Sequence, residues 1–487
     1  MYPNWMIDFY KVGHVQQYPS DVTQVWSNWT PRASRVECND GVVFFGLQAV
    51  LQDLLETWEE KFFQVPIELL LQNYREVIAA TLGVKDPYTK HLEQLHAHGR
   101  LPLDVWAIPE GHSVPLRVPM FVISNSTPDT FWLPNFLETI LSNMLWKGCT
   151  SATTARRYRN IFLKYAKEAG ETDFSFVDWQ GHDFSFRGMS GLADACMSGM
   201  GHLLSFSGTD TIPAILAAQA YYDAPLTVGG SVPATEHSVM CAGGAEDEFG
   251  TFLRLLTETY PTGIVSVVSD TWDLWTVLTK YIPALKDVIL KRDGKLVIRP
   301  DSGDPEDIIC GSKTARYLSP EYFGAARLLA QALGVMKGTG NCPSINKGGL
   351  IYGDSITPER AENIMHRMVH EVGLSPYTVV LGIGSYTYEY VTRDTYGFAM
   401  KATAVRRGDK VVDIFKKPVT DTGMKNSLVG IPAVYRTEES TEEKPVYFAV
   451  DKQKPEALDN CAFRKVLGDG KLLIRDDFET IRRRVRA

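Results

Sequence analysis

The sequence predicts an α/β protein built around a parallel array of strands and helices, and three observations carry that prediction. Between residues 180 and 386 a short apolar run repeatedly ends in Gly, Asp, Arg, Ser or His, and a helical segment usually follows. Before that array, residues 1–150 mix helical and strand patterns. After Tyr390 the chain alternates apolar and polar residues, as half-buried strands do. At 487 residues the chain exceeds what one hydrophobic core usually serves, so two domains, or a large barrel with an appended domain, are expected.

Apolar residues at helical spacing from Phe44 to Phe63, including Leu47, Leu51, Leu54, Leu55 and Trp58, predict a first helix. A second covers Val65 to Leu82, with Pro66 near its start. Leu103 to Ile123, rich in Val, Ile and Pro, reads as short strands and turns. Helical patterns return from Thr127 to Trp146 and from Ser151 to Ala169. Seven strand ends follow: His182–Gly188, Phe206–Asp210, Val228–Ser231 leading to Glu236-His237, Val267–Asp270, Ile298–Gly303, Ile351–Ser355 and Leu381–Ser385. In a parallel βα array functional residues collect at such ends. Gly or Asp after a single strand is an ordinary turn or cap residue. Here all seven runs carry polar groups and two contain Arg, and an Arg at the end of a buried strand needs an anionic partner. The insertion from Gly303 to Gly349 makes the period too irregular for a solenoid. Further strands are expected in Gly397–Lys417, Ala433–Val450 and Lys471–Arg475, and Arg482–Arg484 ends a short helix preceded by Asp476 and Asp477.

Composition narrows the function. Hydrophobic residues make up 44% and charged residues 22%, as in globular proteins. A formal net charge of -8 argues against nucleic acid as a partner, while leaving room for a local basic pocket. Seven scattered cysteines without a Cys-x-x-Cys pair read as reduced thiols of a cytoplasmic protein. No signal peptide is recognisable, and no apolar run approaches the roughly 20 residues needed to cross a bilayer.

The residues present suit transfer at a phosphorylated ribose. No Walker A sequence or His-Glu-x-x-His motif occurs, Gly382-Ile383-Gly384 is only a weak dinucleotide signal, and no acidic pair leads into a Thr-Gly-Gly-Thr loop. Asp301 and Asp354 at strand ends offer acceptors for ribose hydroxyls. Gly353, Gly384 and Ser385 offer backbone N–H groups for a phosphate. Arg187, Arg299, Arg393 and Lys401 are cations for a leaving pyrophosphate. Asp270 is placed to stabilise an oxocarbenium-like transition state or to hold Mg²⁺ through water.

Five blocks in order carry a resemblance: His182-Asp183-Phe184-Ser185-Phe186-Arg187-Gly188, Gly208-Thr209-Asp210-Thr211, Ser231-Val232-Pro233-Ala234-Thr235-Glu236-His237-Ser238, Ser266-Val267-Val268-Ser269-Asp270 and Arg299-Pro300-Asp301-Ser302-Gly303. The chain resembles the nicotinamide branch of the type II phosphoribosyltransferase family along nearly its whole length, from Asp8–His14 onward. The resemblance implies an irregular (β/α) barrel, here 151–392, beside an α+β domain formed by both chain ends, 1–150 and 393–487. It implies transfer of phosphoribosyl from phosphoribosyl pyrophosphate to nicotinamide, a need for Mg²⁺, stimulation by ATP through a phosphorylated histidine, and a homodimer with shared active sites.

Residue by residue, the resemblance makes Phe184 the ring-stacking phenylalanine and Tyr10 the tyrosine closing the other face from the partner subunit. Asp210 matches the acceptor of the nicotinamide amide, and His237 the phosphorylated histidine, with Glu236 as a carboxylate to orient its ring. Arg187, Arg299 and Asp301 match phosphate- and ribose-binding positions, Gly353 and Asp354 a pair on the nucleotide, and Arg393 a phosphate ligand. Lys401 and Lys416 resemble pyrophosphate ligands, and Arg32 a basic residue from the partner subunit. The chain departs from the family pattern at Gly384-Ser385-Tyr386, in place of a glycine run, and after Lys416, where Lys425 stands one residue out of step. The alternatives are a nicotinate phosphoribosyltransferase and a catalytically silent binding protein on the same fold.

Overall fold

The computed structural model describes residues 1–415 and 428–487, so Lys416 and Lys425 lie outside the described residues. The chain forms two compact units: residues 1–153, 217–224 and 391–487 make one, and 154–216 with 225–390 the other.

The second unit is built on six parallel strands, β1 (Gly181–Asp183), β2 (Gly208–Thr209), β3 (Thr262–Val268), β4 (Asp293–Arg299), β5 (Gly348–Tyr352) and β6 (Val379–Ile383), in the order β2-β1-β6-β5-β4-β3. An extended segment joins the two edges. Gly230 bridges to Gly208 of β2, and Ala234 bridges to Ser266 of β3. Ser266 N donates to Pro233 O at 2.9 Å and Thr235 N to Ser266 O at 3.0 Å. That segment is the seventh stave of an irregular (β/α) barrel, and it corresponds to the sequence run at Val228–Ser231.

Strand periodicity sorts the residues. Val265, Val267, Leu296, Ile298, Leu350, Tyr352, Val379, Leu381 and Ile383 pack outward into the core beneath the helices, and all are buried. Their neighbours Ser266, Lys295, Val297, Arg299, Ile351 and Val380 face inward on a cavity instead.

The first unit holds a seven-stranded antiparallel sheet. Its centre comes from the N-terminal part: Val22–Thr30, Phe121–Asn125 and Leu103–Ala107. C-terminal strands flank it, Ala399–Arg407 pairing with Val22–Thr30, and Arg464–Gly468 with Leu103–Ala107. Both chain ends thus build one α+β domain, as the resemblance implies. Trp29 stacks on Phe398 at 5.1 Å, joining the two ends in one core. Residues 217–224 belong here because Tyr221 and Tyr222 are tied down: Gln48 Nε2 donates to Tyr221 O at 2.8 Å and Tyr222 Oη donates to Glu110 at 3.0 Å.

Two local expectations change. The helix expected from Phe44 begins at Leu47, because buried Glu110 accepts from Gly46 N at 2.9 Å and Gln48 N at 2.6 Å, which caps the helix there. The break expected between Trp146 and Ser151 is absent. One helix runs Glu138–Glu168, and Thr150 and Thr153 return their hydroxyls to Trp146 O and Cys149 O, so these polar residues stay helical.

Candidate active site

The site is built where β1, β6, β5 and β4 end. Buried Asp183 accepts from Ser185 N at 2.9 Å and Ser185 Oγ at 2.6 Å, which turns the chain sharply after β1. The turn lays the Phe184 ring across the strand ends. Its centroid lies 4.6 Å from the His182 ring and 5.3 Å from the Arg299 guanidinium. Two glycines make room for it. A Cβ at Gly382 would stand 2.4 Å from Phe184 Cδ2 and 2.7 Å from Gly353 Cα, and one at Gly353 3.2 Å from the same ring. Gly382→Ala is therefore expected to push the ring off its seat, cutting kcat/KM by about tenfold or more while lowering stability by about 1–3 kcal/mol. Steady-state kinetics and a denaturant melt on the same preparation check both.

Beside the ring stands Asp210. His182 Nε2 donates to its Oδ1 at 2.8 Å and Ser231 Oγ donates to the same atom at 2.7 Å. Among the described residues no donor reaches Oδ2. Burial raises the Asp210 pKa, but the His182 hydrogen bond and charge, the Ser231 hydroxyl and the Arg299 charge outweigh it and hold the carboxyl below its usual range. Asp210 is thus ionised at neutral pH, one oxygen fixed by the protein and the other turned to whatever occupies the cavity.

Arg187 and Arg299 make no ion pair among the described residues, and Arg299 Nε is buried without a partner. A guanidinium so placed costs stability unless an anion arrives. Around them the acidic residues gather. Asp270 Oδ2 accepts from Asp301 N at 2.8 Å and Ser302 Oγ at 2.5 Å, while its buried Oδ1 has no partner. Burial, then the carboxylates of Asp354, Asp301, Asp270 and Asp304, push the Tyr352 hydroxyl up. Ser385 begins the helical turn Ser385–Tyr388, and the space above Gly384 is open.

His237 begins the short helix His237–Ala242 and is exposed. Its Nδ1 shares a hydrogen bond with Thr271 Oγ1 at 3.1 Å. The expected carboxylate does not hold the ring. Glu236 accepts from Ser238 Oγ instead, because the chain turns into the helix between them.

A family model described as the nicotinate phosphoribosyltransferase (NAPRTase) family matches residues 179–454, and one described as the nicotinamide phosphoribosyltransferase N-terminal domain matches residues 4–105. A nicotinamide phosphoribosyltransferase of Acinetobacter baylyi is 44% identical, covering 98% of this chain and 96% of its own. The chain belongs to the nicotinate phosphoribosyltransferase family. It is an enzyme, and its curated relatives within the family act on nicotinamide by name: that of Mycoplasma pneumoniae is 34% identical over 87% of this chain and 93% of its own. The fold agrees. A human nicotinic acid phosphoribosyltransferase structure superposes with a TM-score of 0.56 at 17% identity, over 98% of this chain and 92% of that one.

The structure brings Phe184, Arg187, Asp210, Asp270, Arg299, Asp301, Gly353, Asp354, Gly384 and Ser385 to the strand ends of this family's barrel. Tyr10, Arg32, Arg393 and Lys401 belong to the other unit. There Tyr10 is exposed, Arg32 Nε donates to Gly397 O at 3.1 Å, Arg393 pairs with Asp394 at 3.1 Å and Lys401 with Glu138 at 3.1 Å. Sequence reasoning missed His182, Ser231, Thr271 and Gly382 as participants. Strand alternation offered a signal for two of them: His182 shares a face with Phe184, and Gly382 with Gly384.

Proposed function

We propose that this chain joins the ring nitrogen of nicotinamide to C1′ of phosphoribosyl pyrophosphate, releasing pyrophosphate and forming nicotinamide mononucleotide. The observation that carries this reading is the free, ionised Oδ2 of Asp210 beside the Phe184 ring seat. An amide N–H donates to it, whereas a nicotinate carboxylate is repelled. Phe184 stacks the pyridine ring. Arg187 and Arg299, having no protein counter-ion among the described residues, take the phosphates, with Gly384 and Ser385 N–H groups beside them. Asp301 and Asp354 accept from the ribose hydroxyls, and Gly353 lets the nucleotide approach the backbone. As C1′–O breaks and positive charge grows on the ribose, Asp270 and Asp301 lie on the side that stabilises it.

Mg²⁺ fits these residues through Asp270, whose Oδ1 lacks a partner, with Asp301 nearby. Water and the diphosphate would supply the remaining ligands of such an ion. When bound, Mg²⁺ neutralises charge on the leaving pyrophosphate. ATP enters through His237. With Nδ1 engaged by Thr271, Nε2 is the nitrogen that accepts the phosphoryl group while ADP leaves. His237→Ala is expected to abolish ATP stimulation and retain basal transfer; ATP-enhanced product formation in that variant would refute the role.

A homodimer fits an apolar face at the ends of β2, β1 and β6, where Leu192, Ile212, Leu216, Tyr386 and Tyr390 are 53–82% exposed. The partner copy supplies Tyr10 to the open face of the ring and Arg32 to the phosphates, with Arg393 and Lys401 as further anion ligands. The seven cysteines are unbridged, which suits a cytoplasmic location, and no helix among the described residues is long and apolar enough to cross a membrane. The deciding assay offers phosphoribosyl pyrophosphate, Mg²⁺ and either nicotinamide or nicotinate, with and without ATP. Mononucleotide from nicotinamide in large excess is expected. Preference for nicotinate, or no product from either base, overturns the reading.

A further inference from the structure

The turn Ser385–Tyr388, which carries the N–H groups offered to phosphate, cannot hold its own position. Inside it, Thr387 N and Tyr388 N donate to Gly384 O at 3.1 and 3.2 Å, and Glu389 N donates to Ser385 O at 2.7 Å. So short a helical piece is unstable alone and takes its place from its surroundings. Its neighbours carry other parts of the site. A Cβ at Gly188, one residue past Arg187, would stand 2.5 Å from Ser385 Cβ, so the turn after β1 presses on its start. Thr387 Oγ1 donates at 3.0 Å to Ile356 O, two residues past Asp354, and Tyr158 Oη donates to the same carbonyl at 2.7 Å.

A further tie runs through a buried histidine. His202 comes from the helix Leu192–Leu203 and is 0% exposed. Its Nε2 lies 2.9 Å from Gly208 O and its Nδ1 2.7 Å from Tyr388 Oη. A carbonyl only accepts, so Nε2 carries the proton. Burial holds the His202 pKa well below its usual value, which keeps the ring neutral. Nδ1 therefore accepts from the Tyr388 hydroxyl. Tyr388 is 1% exposed, with its ring edge-on to His202 at 5.8 Å. Apolar side chains would fill this space without the cost of burying an imidazole and a phenol. What the polar pair adds is a link between two places where position matters. Gly208 stands two residues before Asp210, and Tyr388 three residues after Ser385.

We propose that His202 and Tyr388 are positioning residues for phosphoribosyl transfer, the His202 ring fixing the distance between the strand end that selects the base and the turn that binds phosphate. The inference rests on the phosphate role given to that turn above. Both side chains lie beneath the site and act through the backbone they hold. Tyr388 Oη sets where the turn presents its N–H groups, and the bond from Nε2 keeps Gly208, and with it Asp210, in place. One nitrogen serves each side, so the two arms can be cut separately.

Tyr388→Phe keeps the ring and removes only the hydroxyl. It should raise the KM for phosphoribosyl pyrophosphate about tenfold and leave the KM for nicotinamide within about twofold. His202→Asn keeps an amide oxygen near the Nδ1 position and loses the bond to Gly208 O. It should raise the KM for nicotinamide about threefold or more and leave that for phosphoribosyl pyrophosphate within about twofold. Loosened packing alone would lower Tm and the active fraction without dividing the two KM values in this way. Unchanged constants in both variants, or equal rises in both KM values, overturn the proposal. A second readout needs no variant, should either fail to fold. Pyrophosphate added to the wild-type protein should slow amide hydrogen exchange across Gly208–Asp210 as well as Ser385–Glu389, read by mass spectrometry. Protection confined to the turn overturns the link. Absence of mononucleotide from the wild type would sink the transfer reading instead, and calorimetric Kd values for phosphoribosyl pyrophosphate and nicotinamide on the same preparations would still decide the tie.

Discussion

Asp210→Ser is expected to narrow the nicotinamide-over-nicotinate ratio of kcat/KM by one to two orders of magnitude. Two like charges about 4 Å apart at an effective dielectric near 20 repel by roughly 4 kcal/mol, about a thousandfold in rate. The Asp210 side chain is 48% exposed, so solvent screens part of that repulsion and the smaller figure applies. Serine removes the charge and keeps a hydroxyl that serves either base. Most of the change should therefore appear as gained activity on nicotinate, with a smaller loss on nicotinamide. The pH dependence follows from the sign of the shift. The folded pKa of Asp210 lies below its usual value, so the carboxylate and its discrimination persist across neutral pH. Discrimination fades only as pH falls through that depressed pKa. Competition assays with both bases, at neutral and mildly acidic pH, check it; an unchanged ratio in the variant would remove Asp210 as the selector.

His182 explains why this could not be read from the sequence alone. Gly208-Thr209-Asp210 shows an acid at a strand end, but not how the acid is held. An ionised carboxylate only accepts, so His182 Nε2 must carry the proton it shares with Asp210, and Ser231 arrives from the seventh stave to bind the same oxygen. Those partners come from three separate runs and meet only when the barrel closes. The strand ends themselves were legible because alternation and loop chemistry are local properties, and all seven runs lie at the ends of staves. The resemblance, not periodicity, supplied the domain made from both chain ends, since pairing between Val22–Thr30 and Ala399–Arg407 leaves no local trace. The helix break expected near Ser151 failed for the same reason in reverse. A threonine-rich stretch looks like a boundary until its hydroxyls are seen returning to the helix's own carbonyls. Glu236 was adjacent to His237 in sequence, yet Thr271, from a different loop, holds the ring.

Arg299→Met is expected to lower kcat/KM by about 100-fold or more while leaving Tm unchanged or raising it by about 1–3 °C. The two halves of that result have one cause. Arg299 Nε is buried without an acceptor, and the guanidinium has no carboxylate partner among the described residues. Without ligand, the fold bears the cost of a guanidinium with no direct carboxylate contact among the described residues, offset in part by the Phe184 face and by the Asp210 charge at longer range. Methionine keeps much of the volume and removes that cost. In the proposed complex the same guanidinium is expected to form charge-assisted hydrogen bonds to phosphate, each contributing about 1.5–3 kcal/mol, and methionine forms none. Arg367 provides the contrast. Its guanidinium donates to Glu306 O at 3.0 Å and to Glu371 at 3.0 Å, and it lies against Asp307 at 3.5 Å. Arg367→Met should therefore lower Tm, because it strands acceptors that the native fold has satisfied, and it should leave the mononucleotide-forming site alone. Thermal melts and kinetics on both variants separate a cation kept for the fold from one kept for the substrate. A fall in Tm for Arg299→Met as large as that for Arg367→Met would place Arg299 with the structural arginines.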